Sequence, residues 1–595
     1  MKRIAALTLT VTLLAALGIG SRAIATSPPP APEEKILFTV GVPSEINTMN
    51  PFQSADLSEP FFLNYDQLLN FDQKTLQAAP GLAESWESSE DGKTWTFHIR
   101  KGVTWHDGVP VTAHDVKFTY DFIVQQKVGV VLGYLPFEPT FEVPDDYTLI
   151  WHSPKPTVAP EAPGWIPIVP EHIWSKYKTK SEAQQFRNIP TVGSGPFHLV
   201  EYKEGEFWRF EANKDYWGGV PTIDEVVFQV FDNQETMVQA LKLGDIDFAH
   251  ELSPTLFEAL DGEENITTAS GGAAYFDNLA FGLWKPHQLG TQGETPTGHP
   301  ALQDEDVRDA IAHAIDKEAI VDQVMQGAGS VGTTVVLPTS PWHYEPTQEE
   351  LIAFDLDKAN LMLDEAGYKD TDGDGIRQMP DGTNPLVFEV LTIADITYSN
   401  DEGLLIQGWL KDIGIKVELR PVSKSKGYEL WYAHDYDAYV WSWGPDPDPD
   451  FILSIFTTDS CNVWSDGCYS NAEYDRLYIR QQEATSRDER REITDEMQRM
   501  IYDDNPEIVL GYEYDLQAYR NDRFTGFVEQ PEPNGSLIYS FGPYSYLSIK
   551  PVAPGGGATS ESGGSGMLVG IAIAGVVALV VVVVIVRRKP LEDRD

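Results

Sequence analysis

The sequence between residues 437 and 450 combines aromatic and acidic side chains at a spacing that suits ligand binding. Residues 438–443 read as a strand, in which alternate side chains share one face. Together with the preceding residue, that face carries Asp437, Tyr439, Trp441 and Trp443. An indole on such a face can stack on a sugar ring or an apolar side chain, so Trp443 and Trp441 are candidate ligand-binding residues.

An Asp-Pro repeat follows this strand and places Asp446, Asp448 and Asp450 just beyond its end. Open α/β sheets bind ligands beyond the carboxyl ends of their strands, so Asp446 and Asp448 are also candidate ligand-binding residues. The alternative interpretation is structural. Asp-Pro repeats make turns, and Asp450 suits the N-cap of a short helix over residues 451–456.

A second acidic motif has the spacing of a calcium-binding loop. Carboxylates stand at positions 1, 3, 5 and 12, a glycine at position 6 and a carbonyl ligand at position 7. The candidate ligands are Asp370, Asp372, Asp374, Ile376 and Asp381. Position 12 is usually Glu, and a strand follows the loop, so an acidic surface turn is the alternative. We expect no required cofactor and at most a structural Ca²⁺.

Two cysteines and two sequons are candidates for a disulfide bond and for glycosylation. Cys461 and Cys468 are the only cysteines of the chain. The turn-forming residues between them predict a local disulfide, with two free thiols as the alternative. Asn265 and Asn534 each begin a glycosylation sequon.

Motifs and charge exclude several classes of function. The sequence contains no His-Glu-x-x-His, Gly-x-Ser-x-Gly or Walker-type loop, so we expect no enzyme. A formal net charge of −48 repels nucleic-acid phosphates, so we expect no nucleic-acid partner. A catalytic carboxylate pair among 91 acidic residues leaves a secreted glycosidase as a distant alternative. A surface adhesion protein is another, although no repeat of fixed period is visible.

The two ends of the chain predict export and membrane attachment. Residues 1–25 have the basic start, apolar run and small-residue end of a signal peptide, for which an N-terminal anchor is the alternative. Residues 26–34 form a Pro-rich lead-in.

The C-terminal end predicts a single membrane span. Residues 568–586 are uncharged and reach about 28 Å as a helix, close to the thickness of the hydrocarbon core. The basic start of the tail at residues 587–595 places that tail in the cytoplasm. With residues 552–567 as a Gly/Ser linker, we expect a single-pass protein of the cell membrane whose body is extracytoplasmic.

Strand and helix signals alternate along the body, which predicts an α/β fold. We expect strands over residues 36–40, 94–99, 226–231, 386–391, 416–419 and 438–443. We expect helices over residues 234–243, 307–325, 356–366 and most of 474–502. A body of roughly 515 residues exceeds what one hydrophobic core serves, so at least two domains are expected.

Several stretches of this body have distinctive sequences, and they follow one another in a distinctive order. They are PGLAESWESSEDGKTWTFHIRKGVTWHDGVPVTAHDVKF (80–118), VGSGPFHLVEY (192–202), ANKDYWGGVPTIDEVVF (212–228), DVRDAIAHAIDKEAIV (306–321), KANLMLDEAGYKDTDGDG (358–375), DYDAYVWSWGPDPDPDF (435–451) and YSNAEYDRL (469–477). Together they resemble the family 5 bacterial extracellular solute-binding proteins over nearly the whole body. One departure is Gly282, where such proteins often carry Asn, so the hydrogen bond of that Asn is not expected here.

The resemblance implies a two-lobed, periplasmic-binding-protein-like clamp of the large peptide-binder type. Lobe I would comprise residues 35–282 and 511–551, and lobe II residues 283–510, with two chain crossings as the hinge. A ligand between the lobes would favour the closed form because it touches both lobes only there. In peptide-binding members an aspartate near the Asp-Pro repeat pairs with the ligand's α-ammonium, which points to Asp446 first and Asp448 second.

The resemblance also implies the function and its partners. The protein would capture a peptide or oligopeptide for an ABC importer and deliver it to the permease subunits with their ATPases. The same clamp binding an oligosaccharide is the alternative.

Overall fold

The structure, a computed structural model, describes residues 35–553 apart from 45–47, 54–58, 129–134, 136, 158–165, 285–297, 395, 397, 447, 464 and 540. Its strands are β1 (Leu37–Val42), β2 (Leu69–Phe71), β3 (Ala78–Pro80), β4 (Ala83–Ser88), β5 (Thr94–Ile99), β6 (Thr140–Asp145), β7 (Thr148–His152), β8 (Phe197–Lys203), β9 (Phe207–Ala212), β10 (Glu225–Val230), β11 (Phe248–Ala249), β12 (Ile266–Phe281), β13 (Gly329–Val331), β14 (Val387–Ile393), β15 (Lys416–Val422), β16 (Ala438–Trp443), β17 (Glu507–Arg520), β18 (Phe524–Thr525) and β19 (Lys550–Pro551).

The α-helices of the described residues are interspersed among these strands. They are α1 (Glu59–Asn64), α2 (Ala113–Gln126), α3 (Glu171–Trp174), α4 (Lys180–Gln184), α5 (Gln234–Leu243), α6 (Pro254–Glu258), α7 (Glu305–Ala314), α8 (Lys317–Gln323), α9 (Leu356–Glu365), α10 (Ser399–Asp412), α11 (Lys424–Ala433), α12 (Asp450–Ser454), α13 (Ala472–Glu483), α14 (Arg487–Asp504) and α15 (Tyr544–Ser548). The predicted α/β class is confirmed.

Capping side chains explain where the predicted helices are right and where one is wrong. Helix α5 has its predicted bounds because the Asn233 side chain accepts from the Thr236 backbone N–H at 2.9 Å. The single helix predicted over residues 307–325 is wrong, since α7 and α8 are separate. Asp316 accepts from the Ala319 backbone N–H at 3.0 Å and starts the second helix.

One large mixed sheet runs through the described body. Its strand order is β15-β14-β16-β12-β17-β11-β1-β10-β9-β8, and β13 also pairs with β17. The pairs β1/β10, β1/β11, β14/β15 and β14/β16 are parallel, whereas β12 pairs antiparallel with both β16 and β17. The two long strands β12 and β17 therefore join the two halves of the sheet, and we call them the crossing strands.

The buried apolar side chains form two large clusters on either side of this junction. The first is drawn from residues 38–248 and 524–549, and the second from residues 273–512. Both belong to one compact unit that begins at Ile36. Two cores joined by two strands are the arrangement that a two-lobed protein needs, while the lobe boundaries at 282/283 and 510/511 stay a prediction.

The described residues contain no helix that is long and apolar enough to cross a membrane. The predicted signal peptide 1–25, lead-in 26–34, span 568–586 and tail 587–595 lie outside the described residues, as does the predicted linker from residue 554 onward.

Three carboxyl side chains meet on the face of the crossing strands that α10 covers. They are Asp277 of β12, Glu402 of α10 and Glu513 of β17. Asp277 and Glu402 are 0% exposed. Burial, followed by the charges of the neighbouring carboxylates, raises the pKa of all three well above its ordinary value. The folded state thus binds protons that the unfolded chain has released, so stability falls as the pH rises through the folded pKa values.

We predict that Glu402→Gln raises the melting temperature by an amount that grows between about pH 5 and about pH 8. The amide cannot ionise. In the parent protein, ionisation of this buried carboxyl lowers the free energy of unfolding by about 1.4 kcal/mol for each unit by which its pKa is raised, and the variant does not suffer this loss. Melting curves across this range measure the effect, with the exposed Glu349→Gln as the matched control. A difference from the parent protein that stays constant with pH would contradict the prediction.

Candidate ligand-binding site

Three neighbouring parallel strands end at the same edge of the sheet. Strands β14, β15 and β16 finish at Ile393, Val422 and Trp443. Open α/β sheets bind ligands beyond such carboxyl ends. The residues that follow these strands, including the start of α11 and the Asp-Pro repeat, are therefore placed where a ligand would bind.

An aromatic pocket lies at this edge and has a volume of about 500 Å³ when the part open to solvent is included. Its lining comes from β14, α11, β16 and the segments beside them. These residues are Leu391, Ile393, Gly427, Tyr428, Trp431, Tyr436, Tyr439, Trp441, Trp443 and Asp466. We call it the aromatic pocket throughout.

Two periodicities build the walls of the aromatic pocket. Tyr439, Trp441 and Trp443 share one face of β16, as predicted, because they pair in register with alternate residues of β12. Tyr428 and Trp431 are three residues apart in α11 and therefore lie on the same side of that helix. The rings of Tyr428 and Trp441 meet edge to face with centroids 5.3 Å apart, which closes the wall between α11 and β16.

A buried carboxylate, Asp466, completes the lining and is 3% exposed. It accepts hydrogen bonds from the Tyr439 hydroxyl, from Trp443 Nε1 at 2.8 Å and from Asn278 Nδ2 at 3.4 Å. Burial raises the pKa of Asp466, and these donors oppose that shift. Burial raises the pKa of the adjacent Glu507 well above its ordinary value, and the charge of Asp466 raises it further.

A short disulfide loop holds Asp466 in place. Cys461 and Cys468 are bonded in the structure. The Tyr436 hydroxyl donates to the Asp466 backbone carbonyl at 2.5 Å. Gly467 lies so close to β12 that an added Cβ would be 2.0 Å from the Phe281 carbonyl oxygen. We call residues 461–468 the disulfide loop, and its residues Asp466 and Gly467 are therefore held against the crossing strand.

The departure at Gly282 has a packing reason. An added Cβ there would lie 2.5 Å from the ring of Trp284. The backbone N–H of Gly282 donates to the Asp437 carbonyl at 2.8 Å. Glycine at this position lets the indole pack against the backbone at the end of β12.

The structure places the two candidate aspartates in different surroundings. Asp446 is half-buried, and its Oδ1 accepts from the Asp448 backbone N–H at 3.2 Å. Asp448 is 1% exposed and receives two hydrogen bonds of 2.7 Å from the Arg490 guanidinium. Because Arg490 occupies both oxygens of Asp448, only Asp446 enters the site that we describe. Asp450 does not cap a helix; it is the first residue of α12 and accepts from Gln482 Nε2.

A wider cleft has a volume of about 1240 Å³ including its open part. The cleft is lined by residues of both crossing strands, among them Gly272 and Tyr514, and by Thr339. Burial raises the pKa of Tyr539 well above its usual value, the charges of Asp515 and Asp446 raise it further, and a hydrogen bond with Thr339 opposes the rise. Tyr539 thus connects Thr339 of the wider cleft with the charge of Asp446. Asp446 itself follows Trp443, which lines the aromatic pocket, by three residues.

The acidic loop brings together three of its five predicted ligands. Oxygen atoms of Asp370, Asp372 and Asp374 lie within 4.8 Å of one another. Gly375 has φ of +90°, as the sharp turn at position 6 requires. Asp381 lies outside this group, and its Oδ1 accepts from Thr383. The Ile376 carbonyl accepts from Gln378 Nε2 at 2.7 Å.

Both sequon asparagines are exposed. Asn265 and Asn534 adopt positive φ values of 68° in surface turns. Their use as glycosylation sites stays a prediction.

Sequence reasoning missed several residues of the aromatic pocket. Tyr428 and Trp431 follow the end of β15 on a helix, and the sheet-edge rule that selected Asp446 applies equally to them. Asp466 lies between the two cysteines, where the predicted disulfide marked a fixed loop but gave no sign of what it carries.

Comparison with known proteins identifies the family. The family model described as bacterial extracellular solute-binding proteins, family 5 Middle, matches residues 77–463. The oligopeptide-binding protein AppA of Bacillus subtilis (strain 168) is 29% identical over 498 residues, which cover 80% of this chain and 86% of AppA. The di/tripeptide-binding protein 3 of Pseudomonas aeruginosa (strain UCBPP-PA14) is 25% identical over 502 residues, which cover 78% of this chain and 89% of the relative.

Solved structures share the fold over most of the chain. AppA from Bacillus subtilis in complex with a nonapeptide has a TM-score of 0.72 and 25% identity, covering 87% of this chain and 99% of AppA. NikZ from Campylobacter jejuni in complex with Ni(L-His) has a TM-score of 0.73 at 23% identity, covering 87% of this chain and 100% of NikZ. These likenesses support a two-lobed α/β fold. The resemblance inferred from the sequence is confirmed, and the chain belongs to the family 5 bacterial extracellular solute-binding proteins.

Proposed function

We propose that this protein is the extracytoplasmic receptor of an ABC importer and captures a peptide or oligopeptide. The observation that carries the proposal is the position of Asp446 three residues after Trp443, which ends strand β16 and lines the aromatic pocket. Open α/β sheets bind ligands beyond the carboxyl ends of their strands, and three parallel strands end here. The carboxylate suits the α-ammonium of a peptide, and the pocket suits a side chain. The names of the relatives support this cargo, since AppA is an oligopeptide-binding protein.

Capture in this proposal is a clamp closure. The wider cleft is lined by the crossing strands and by residues before and after them in the chain. A peptide that contacts both lobes only in the closed form shifts the population toward that form. The permease subunits, driven by their ATPases, would then receive the peptide from the closed receptor.

Attachment to the membrane is part of the same proposal. A helix over residues 568–586 would hold the receptor at the outer face of the cell membrane after export directed by residues 1–25. A Gly/Ser linker of this length has a root-mean-square reach of about 20 Å, so the receptor could sample positions above its permease.

We predict that Asp446→Asn weakens peptide binding by about 30-fold. Removing one partner of a desolvated ion pair costs about 2 kcal/mol or more, and each 1.4 kcal/mol is a factor of about ten in Kd. Calorimetry with peptides first selected by thermal shift measures the change, with the exposed Asp261→Asn as the matched control. Unchanged affinity would remove Asp446 from the site, and binding of oligosaccharides without any peptide would overturn the proposed cargo.

We predict that a bound peptide makes the protein more compact. Closure brings the two lobes together, so small-angle scattering should give a smaller radius of gyration at saturation than without peptide. The Asp261→Asn protein should respond like the parent protein. A radius that is unchanged at saturating peptide would rule out the clamp.

We also propose that the loop at residues 370–376 binds Ca²⁺ in a structural role. Three carboxylates that converge within 4.8 Å, with glycine at the turn, support this proposal. The mutual repulsion of these exposed charges would be relieved by a divalent cation.

We predict that millimolar Ca²⁺ raises the melting temperature and that a chelator reverses the rise. Extracellular sites commonly have Kd of about 10⁻⁴ to 10⁻³ M, and a tenfold excess over Kd stabilises by about 1.4 kcal/mol. Asp372→Asn should abolish the response, whereas Asp381→Asn should preserve it because Asp381 lies outside the converging group. A melting temperature that changes with neither Ca²⁺ nor chelator would refute the site.

A further inference from the structure

The aromatic pocket contains a carboxylate whose described partners are all neutral. Asp466 accepts hydrogen bonds from a phenol, an indole and an amide, none of which carries a charge. Such donors stabilise a negative charge without cancelling it. None of these donors is a cationic side chain, so a cation that enters the pocket could pair with the Asp466 carboxyl group.

The walls of the pocket favour the same kind of ligand. Six aromatic side chains line it, and the faces of such rings attract cations, more strongly where water is excluded. Leu391 and Ile393 add apolar surface that lowers the local dielectric and strengthens the pull of Asp466. Without a carboxyl group, an apolar pocket would also accept a neutral side chain. Asp466 is therefore the residue that favours a basic side chain over a neutral one.

The long-range electrostatic field of the protein also favours a cationic ligand. The chain carries a formal net charge of −48, so its overall field attracts cationic solutes and repels anionic ones. Near the pocket, Asp446 adds a carboxylate three residues beyond Trp443. A peptide with a basic side chain would thus meet one carboxylate with its α-ammonium and another with its side chain.

We propose that the aromatic pocket selects peptides with a basic side chain, arginine or lysine, with Asp466 as the counter-charge and Trp441 as the stacking wall. This inference rests on the proposed function and adds a cargo class to it. The side-chain aliphatic stem would pack along the rings while the charged head approaches Asp466.

The test compares tripeptides that differ only at one residue, X, in Ala-X-Ala and X-Ala-Ala. X is arginine, lysine, or the neutral counterparts citrulline and norleucine, and Kd is measured by calorimetry. We expect at least one basic peptide to bind about 10-fold more tightly than its neutral counterpart. Asp466→Asn should bring the two affinities to within about 2-fold while the neutral peptide keeps its Kd.

A second pair of variants keeps the test decisive if Asp466→Asn disturbs the disulfide loop. Trp441→Leu should lose the preference for the basic peptide, whereas Trp441→Phe should retain most of it, with melting curves confirming that both variants fold. Tight binding of neutral peptides with no preference for basic ones would overturn this inference and leave the proposed function in place. Failure of every peptide to bind would instead overturn the proposed function, and this inference with it.

Discussion

The hydrogen-bonded pairing of β12 with β17 is the constraint on which the rest of this structure depends. The ladder runs from Ile266 opposite Arg520 to Ala280 opposite Glu507, with three irregularities of register. It supplies the backbone partners of the central strands and joins the two large apolar clusters. Adjacent residues of β12 face opposite ways, so a slip of one residue would exchange the environments of Asp277 and Asn278.

The two faces of the crossing strands bury acidic side chains in different surroundings. On the α10 face, three carboxyl groups are buried against one another, and protons relieve their repulsion. On the opposite face, neutral donors form hydrogen bonds to Asp466 beside the pocket and oppose the rise of its pKa that burial causes. The first arrangement ties the stability of the crossing strands to pH, while the second places a carboxyl group in the lining of the aromatic pocket. Two adjacent residues, Asp277 and Asn278, take part in these two different chemistries.

The sequence predicted those features that depend on local spacing or on an ordered series of motifs. The period of two in β16 gave the face with Trp441 and Trp443, and the motif series gave the family. It could not predict the partner of Asp448, because Arg490 lies 42 residues further along the chain and the pairing depends on tertiary packing. The break between α7 and α8 was missed for a related reason, since a capping aspartate interrupted an otherwise continuous apolar pattern.

The elements that line the aromatic pocket are separate from the crossing strands, which has a consequence for how solute-binding proteins of this kind diversify. Tyr428 and Trp431 are carried by α11, and Asp466 by the disulfide loop, and neither element belongs to the ladder. Substitutions in these two elements can change what the pocket accepts without altering the pairing of β12 with β17. The elements that line the aromatic pocket are thus separate from the ladder that joins the two apolar clusters, so the pocket lining can change in evolution while the ladder is kept.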